Sequence, residues 1–117
     1  MSEAYTEPYD KIGPDAQDIV RAMKSLREEL EAIDFYHQRV QTAKDPELKK
    51  LMEHNRDEEK EHAAMILEWL RRNMDGWDNE LRDYLFTSAP ITEIEDMETS
   101  GEGDGSNDGK SLGIGKL

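Results

Sequence analysis

Three residues of this chain have the type and spacing of metal ligands: Glu29, and the pair within Glu59-Lys60-Glu61-His62. On a helix, residues i and i+3 are neighbours, so Glu-x-x-His brings a carboxylate and an imidazole to one point. Such oxygen and nitrogen donors suit iron or manganese. In a Glu-rich chain the bare motif is weak, and its weight depends on the elements that carry it.

Those elements read as helices. Pro14 or Asp15 opens a first helix that runs to about Ala43. Asp45-Pro46-Glu47 opens a second, with Asp45 as N-cap, Pro46 pre-set for the first turn and Glu47 at the positive end of the dipole. It runs to about Met74, where Asp75-Gly76 makes a break. A short third helix follows, with Trp77, Leu81, Tyr84 and Leu85 on one side and Pro90 as its limit. No segment alternates apolar and polar residues for long, so no strand is expected.

Each long helix carries a seam that is apolar at its ends and polar in its middle. In the first it is Ala22, Leu26, Glu29, Ile33, Tyr36 and Val40. In the second it is Leu48, Met52, Asn55, Glu59, His62, Ile66 and Trp69. Seams of this spacing bury against other helices, where a carboxylate is costly unless paired or metal-bound. The first helix also allows a rival stripe, Ile19, Met23, Leu26, Leu30, Ile33, His37 and Val40, which would leave Glu29 solvated.

Register favours the metal reading. The helices are joined near Lys44 and should pack antiparallel. Glu29 lies fifteen residues before Lys44 and Glu59 fifteen after it, so both stand at the same height above the turn. In ferritin-like dimetal bundles two helices give one Glu each and two give one Glu-x-x-His each. This chain supplies half that set, and two copies about a two-fold axis supply the whole. The expected fold is all-α: an antiparallel two-helix hairpin plus a short third helix, completing a ferritin-like four-helix bundle by dimerisation. Bridging carboxylates would hold two metals about 3.5–4 Å apart. Iron allows redox chemistry with O2; zinc would fill the site without turning over, and the sequence does not separate them.

Composition sets the frame. Acids outnumber bases 28 to 15, a net charge of -13, which argues against nucleic acid and anionic membranes as partners. There is no Cys, hence no disulfide framework or thiolate metal site, and cytoplasm is the simplest compartment. No apolar run is long enough to span a membrane, and the acidic N-terminus lacks the apolar stretch of a signal peptide. Residues 1–14 read as a flexible N-terminus, 15–87 as the helical domain, 88–109 as a disordered acidic linker and 110–117 as an apolar tip. A foldable part of about 75 residues has a marginal core alone, and oligomerisation is the remedy.

REELEAIDFYHQR (27–39), HNRDEEKEHAAMILEWLRRN (54–73) and YLFTSAPITEIE (84–95) resemble the encapsulated ferritins, ferritin-like cargo of bacterial encapsulin shells. The likeness runs from about residue 26 to 95. It implies a ring of dimers with a ferroxidase centre at the dimer interface, holding two irons and oxidising Fe(II) to Fe(III) with O2. It implies that Glu29, Glu59 and His62 form the centre, as both catalytic and metal-binding residues. It further implies that Glu28 and Glu31 form an outer site through which metal enters. Where the family has a Trp-Tyr pair this chain has Phe35-Tyr36, which removes any role of the indole N–H. Tyr36 shares Glu29's stripe and is expected to support the ligands from behind.

SLGIGKL (111–117) resembles the peptide that docks such cargo on the encapsulin wall. Leu112, Ile114 and Leu117 are spaced to enter a partner's pockets from an extended chain, beyond a polar linker. The implied setting is a bacterial cytoplasm, inside the encapsulin nanocompartment, where iron is stored. Calcium or zinc are the non-redox substitutes for iron. The rival functions are a non-catalytic metal-binding scaffold or cargo adaptor, and a peroxide-reducing di-iron protein. Among the remaining residues, His54 reads as surface and His37 as a satisfied core or interface histidine. Trp69 and Trp77 read as packing. Glu58 and Glu61 are expected to draw cations inward.

Overall fold

The computed structural model describes residues 5–101. Among them are a 3-10 turn at Tyr9–Lys11 and four α-helices: α1 (Pro14–Thr42), α2 (Pro46–Asn73), α3 (Trp77–Tyr84) and α4 (Ile91–Gly101). The described residues include no strand, and none of their helices is long and apolar enough to cross a membrane. The chain divides into two compact units, Met1–Asn73 and Met74–Leu117.

In the first unit α1 and α2 pack along their length as the expected hairpin. Gly13 is extended and Pro14 stands at the first turn of α1, where its missing N–H costs nothing. Asp45 caps α2: its Oδ2 accepts the Leu48 N–H at 2.9 Å, and its carbonyl accepts the Lys49 N–H at 2.9 Å. Asp45→Ala should therefore lower stability by about 1 kcal/mol, and Asp45→Asn by much less. Thermal melts of the two variants beside the natural chain test this. The break after α2 falls at Gly76, whose φ of +95° lies in the left-handed region that glycine tolerates.

Burial settles the phase of α1. Ala22, Leu26, Glu29, Ile33 and Tyr36 are half-buried and Val40 is 4% exposed. On the rival stripe Leu30 and His37 are exposed. On α2, Met52, Asn55, Glu59, His62 and Ile66 face inward, but Leu48 and Trp69 are exposed and Leu70 is fully buried in place of Trp69. The reason is geometric: a stripe spaced 4 and 3 drifts about 20° per heptad on a straight helix, and Leu48 to Trp69 is three heptads. The seam holds at its centre, where Glu59 and His62 lie, and slips at its ends.

The hairpin leaves much of its apolar surface uncovered. Leu30, Phe35, Leu51, Met65 and Trp69 are all exposed. Beyond His62 an open groove runs between the helices, lined by Ala22 and Ser25 from α1 and by Met65, Ile66 and Trp69 from α2.

Two boundaries differ from the sequence reading. The N-terminal segment read as flexible is tied to α1. Tyr9 donates its hydroxyl to Gln17 Oε1 at 2.9 Å, Gln17 Nε2 donates to the Ile12 carbonyl at 2.7 Å, and Tyr5 meets Tyr9 edge-on. The segment 88–109, read as a disordered linker, begins instead with α4. The Pro90 carbonyl accepts the N–H groups of Glu93 and Ile94, and Ile94 is 4% exposed. Ile91, Ile94 and Met97 recur at helical spacing, a signal masked by the Gly- and Asp-rich composition further on. In the same unit α3 ends before Pro90 is reached, at an extended Leu85 followed by Phe86 with φ +61°. The expected targeting peptide 110–117 lies outside the described residues.

Candidate metal centre

The middle of the hairpin brings the three expected ligands together. One donor atom each of Glu29, Glu59 and His62 lies within 4.8 Å of the others. His62 Nδ1 is 3.1 Å from Glu59 Oε1 within α2, and 3.5 Å from Glu29 Oε1 across to α1. The first distance follows from the i, i+3 geometry of α2, and the second from the register set by the turn. The side chains are about a quarter exposed at Glu29 and Glu59 and 44% exposed at His62, so the cluster is open on one side. Among the described residues it is the one group of three or more such side chains close enough to hold a metal ion.

The electrostatics couple the three side chains to one another. A hydrogen bond to the Glu59 carboxylate, then burial and the Glu59 charge, push the Glu29 carboxyl above the usual carboxylate range. The same hydrogen bond holds Glu59 below it. Each carboxylate thus feels the other directly. His62 is raised, chiefly by its hydrogen bond to Glu59, with further support from Glu29. A metal ion competes with these protons for the same lone pairs. Zn(II) affinity should therefore rise with pH through and beyond the ordinary histidine value of 6.5. Binding should release protons. Calorimetric titrations in buffers of different ionisation enthalpy count them; a proton-neutral, pH-independent uptake would place the ion elsewhere.

The other candidates stand outside the cluster. Glu28 and Glu31 are exposed, and Glu28 pairs with Lys24 at 3.3 Å. Tyr36 is half-buried on Glu29's stripe, and the Arg39 guanidinium stacks 5.5 Å from its ring centre. Arg39 also lies over Phe35, at 5.9 Å. His54 is on the surface, 4.0 Å from Glu58. Trp69 is exposed, and Trp77 is half-buried in the second unit. His37 neither joins the centre nor the core: its Nδ1 accepts a hydrogen bond from Arg56 Nη1 at 3.2 Å. Arg56 was not singled out from sequence, although its position three residues before Glu59 puts it on the same face of α2.

Fold and cluster together define a class: an all-helical hairpin with one carboxylate on α1 set against a Glu-x-x-His pair on α2. The chain belongs to the EncFtn-like family, whose model matches residues 4–88. It is 59% identical over 117 residues, the full length of both chains, to a ferritin-like protein of Thermotoga maritima. It is 51% identical to an encapsulated ferritin-like protein of Rhodospirillum rubrum, over 99% of this chain and 89% of that one. Its structure is similar to the crystal structure of protein ne0167 from Nitrosomonas europaea, with a TM-score of 0.73 and 57% identity, covering 76% of this chain and 99% of that one. The resemblance drawn from residues 27–39, 54–73 and 84–95 and the all-α fold are both borne out.

Proposed function

We propose that the protein is a ferroxidase that takes Fe(II) as substrate between two copies of the chain and oxidises it with O2. The observation that carries this reading is the convergence of Glu29, Glu59 and His62 on one point that is open on one side. The donor chemistry fits iron: two carboxylates and an imidazole are hard-to-borderline ligands, and anionic oxygen favours Fe(III) over Fe(II). One chain offers three ligands, too few for a pair of metals. A second copy doubles them to four carboxylates and two imidazoles. Two Fe(II) then give up two electrons, and O2 takes them with two protons and leaves as hydrogen peroxide. Glu29 and Glu59 bridge and hold the ions, and His62 gives one nitrogen per ion. Exposed Glu28 and Glu31 gather cations outside the centre, and Tyr36 backs the α1 ligand.

A pair of hairpins encloses no cavity in which mineral could collect. The product must be stored elsewhere, and the likeness to an encapsulated ferritin-like protein of R. rubrum supports an encapsulin shell in a bacterial cytoplasm as that place. Residues 111–117 are the segment that would dock there. A ring of dimers would present several such peptides at once, and their combined binding would exceed that of one.

The experiment is anaerobic Fe(II) loading followed by O2, watched for Fe(III) absorbance. A chain that binds zinc or calcium but leaves Fe(II) unoxidised is the metal-binding scaffold. A chain that responds to peroxide and not to O2 is the peroxide-reducing protein.

The tail gives a separate test. A chain ending at Gly101 keeps α1 to α4 and should keep full oxidation activity. On co-expression with an encapsulin it should not be loaded, whereas residues 110–117 fused to an unrelated protein should carry that protein in. Normal loading of the shortened chain would remove the targeting role.

A further inference from the structure

We infer that Arg56 and His37 form a diagonal strut that sets the register of α1 against α2, making Arg56 a positioning residue for the centre; this rests on the metal-centre reading above. Arg56 Nη1 donates to His37 Nδ1 at 3.2 Å, and Arg56 Nε donates to Asp57 Oδ1 at 3.0 Å. A guanidinium has no acceptor, so the His37 Nδ1 lone pair must receive the bond. The Arg56 side chain is only 19% exposed, although it is charged. Two hydrogen-bond partners, one on each helix, meet it in that half-buried place.

The bond is not level. His37 lies seven residues before Lys44 and Arg56 twelve after it, so the contact climbs about 7.5 Å along the hairpin axis at ~1.5 Å per residue. A level contact tolerates a small slide of one helix past the other, because its length changes little at first. A diagonal contact stretches or compresses at once. Slippage matters here because a one-turn slide moves a residue about 5.4 Å, more than the 4.8 Å that contains the three donor atoms. The apolar packing that would otherwise resist it is thin, since the inward residues around the centre are only half-buried. Arg56 sits one helical turn before Glu59 on the same face, so the strut acts beside the ligands it serves.

The test uses the full chain with Co(II) as a redox-inert probe whose visible absorption reports its ligands. Variants are His37→Ala, Arg56→Ala, their combination, His37→Gln and a Glu59→Ala control. His37 is exposed, so its replacement leaves the packing untouched. Each single alanine variant should bind Co(II) about tenfold more weakly, the lower end of the loss seen when an outer partner of a metal site is removed. The double variant should also lose about tenfold, not a hundredfold, because both changes remove one strut. His37→Gln offers an amide oxygen to Arg56 and should stay within about twofold of the natural chain. The Co(II) spectrum should change in the alanine variants while helix content does not. Natural-strength Co(II) binding in the alanine variants, or losses that multiply in the double variant, would overturn the strut. Glu59→Ala reports separately: if it binds Co(II) unchanged, the centre is elsewhere and the strut has nothing to position.

Discussion

Glu59→Ala is expected to abolish most O2-dependent oxidation of Fe(II) while leaving the helix content of the chain unchanged. Glu29→Ala and His62→Ala should do the same. In a centre shared by two copies, one substitution removes two of six ligands. Loss of even an outer partner of a metal ligand costs about 10–100-fold, so loss of a ligand pair should cost at least about 100-fold. The fold should survive because none of the three side chains is buried in the core, and the two carboxylates oppose each other's charge. Glu29 is pushed up by its hydrogen bond to Glu59, by burial and by the Glu59 charge, and the same hydrogen bond holds Glu59 down, as expected of two carboxylates set close together. Removing either relieves that conflict, and apo-protein stability should hold or rise. Fe(III) absorbance after mixing with O2, beside circular dichroism, reads both halves. If all three variants oxidise iron at the natural rate, the ligand assignment is wrong. Glu31→Ala should instead slow the reaction mainly at low iron, as a change in capture rather than chemistry.

The convergence of Glu29, Glu59 and His62 was legible because its two determinants are local. The i, i+3 spacing of Glu59 and His62 needs only a helix, and Glu29 needs only a turn at Lys44 and a rise per residue. The capped start at Asp45 marked that turn, and the Asp45–Leu48 hydrogen bond bears it out. What the stripes did not reveal was set by larger-scale geometry. Trp69 fits a spacing of 4 and 3 but leaves the seam by accumulated drift, so Leu70 is buried instead. Helix α4 was lost because its apolar residues, Ile91, Ile94 and Met97, were averaged with a polar stretch beyond them. His37 reads from sequence as a satisfied core or interface histidine; its actual partner, Arg56, follows from a long side chain reaching diagonally, which no single-helix pattern encodes.

Metal binding and assembly are expected to drive each other. A single chain holds Glu29, Glu59 and His62 about one point with an open side, so an ion bound there keeps most of its coordination to water. The same chain leaves Met65 and Trp69 exposed along a groove beside the centre, apolar surface that a second copy can cover. Burial of that surface favours association; four carboxylates brought together without metal oppose it. The two effects act in the same shared seam, and a cation removes the second while leaving the first. By linkage, any factor by which iron strengthens association must equal the factor by which association strengthens iron binding. A tenfold change corresponds to about 1.4 kcal/mol on either side of the cycle. Apo-protein at low concentration should therefore be largely monomeric. Fe(II) should shift it to dimers and larger rings, with one iron per chain at the centre. Oxidation rate per chain should climb with protein concentration until assembly saturates. Zinc or calcium should promote the assembly without oxidation, and Glu59→Ala should lose the metal response while keeping the apolar contact. Analytical ultracentrifugation with and without metal, run beside the rate assay, measures both sides of the cycle. A fully active monomer, or an association equilibrium indifferent to metal, would show that each chain holds its iron alone.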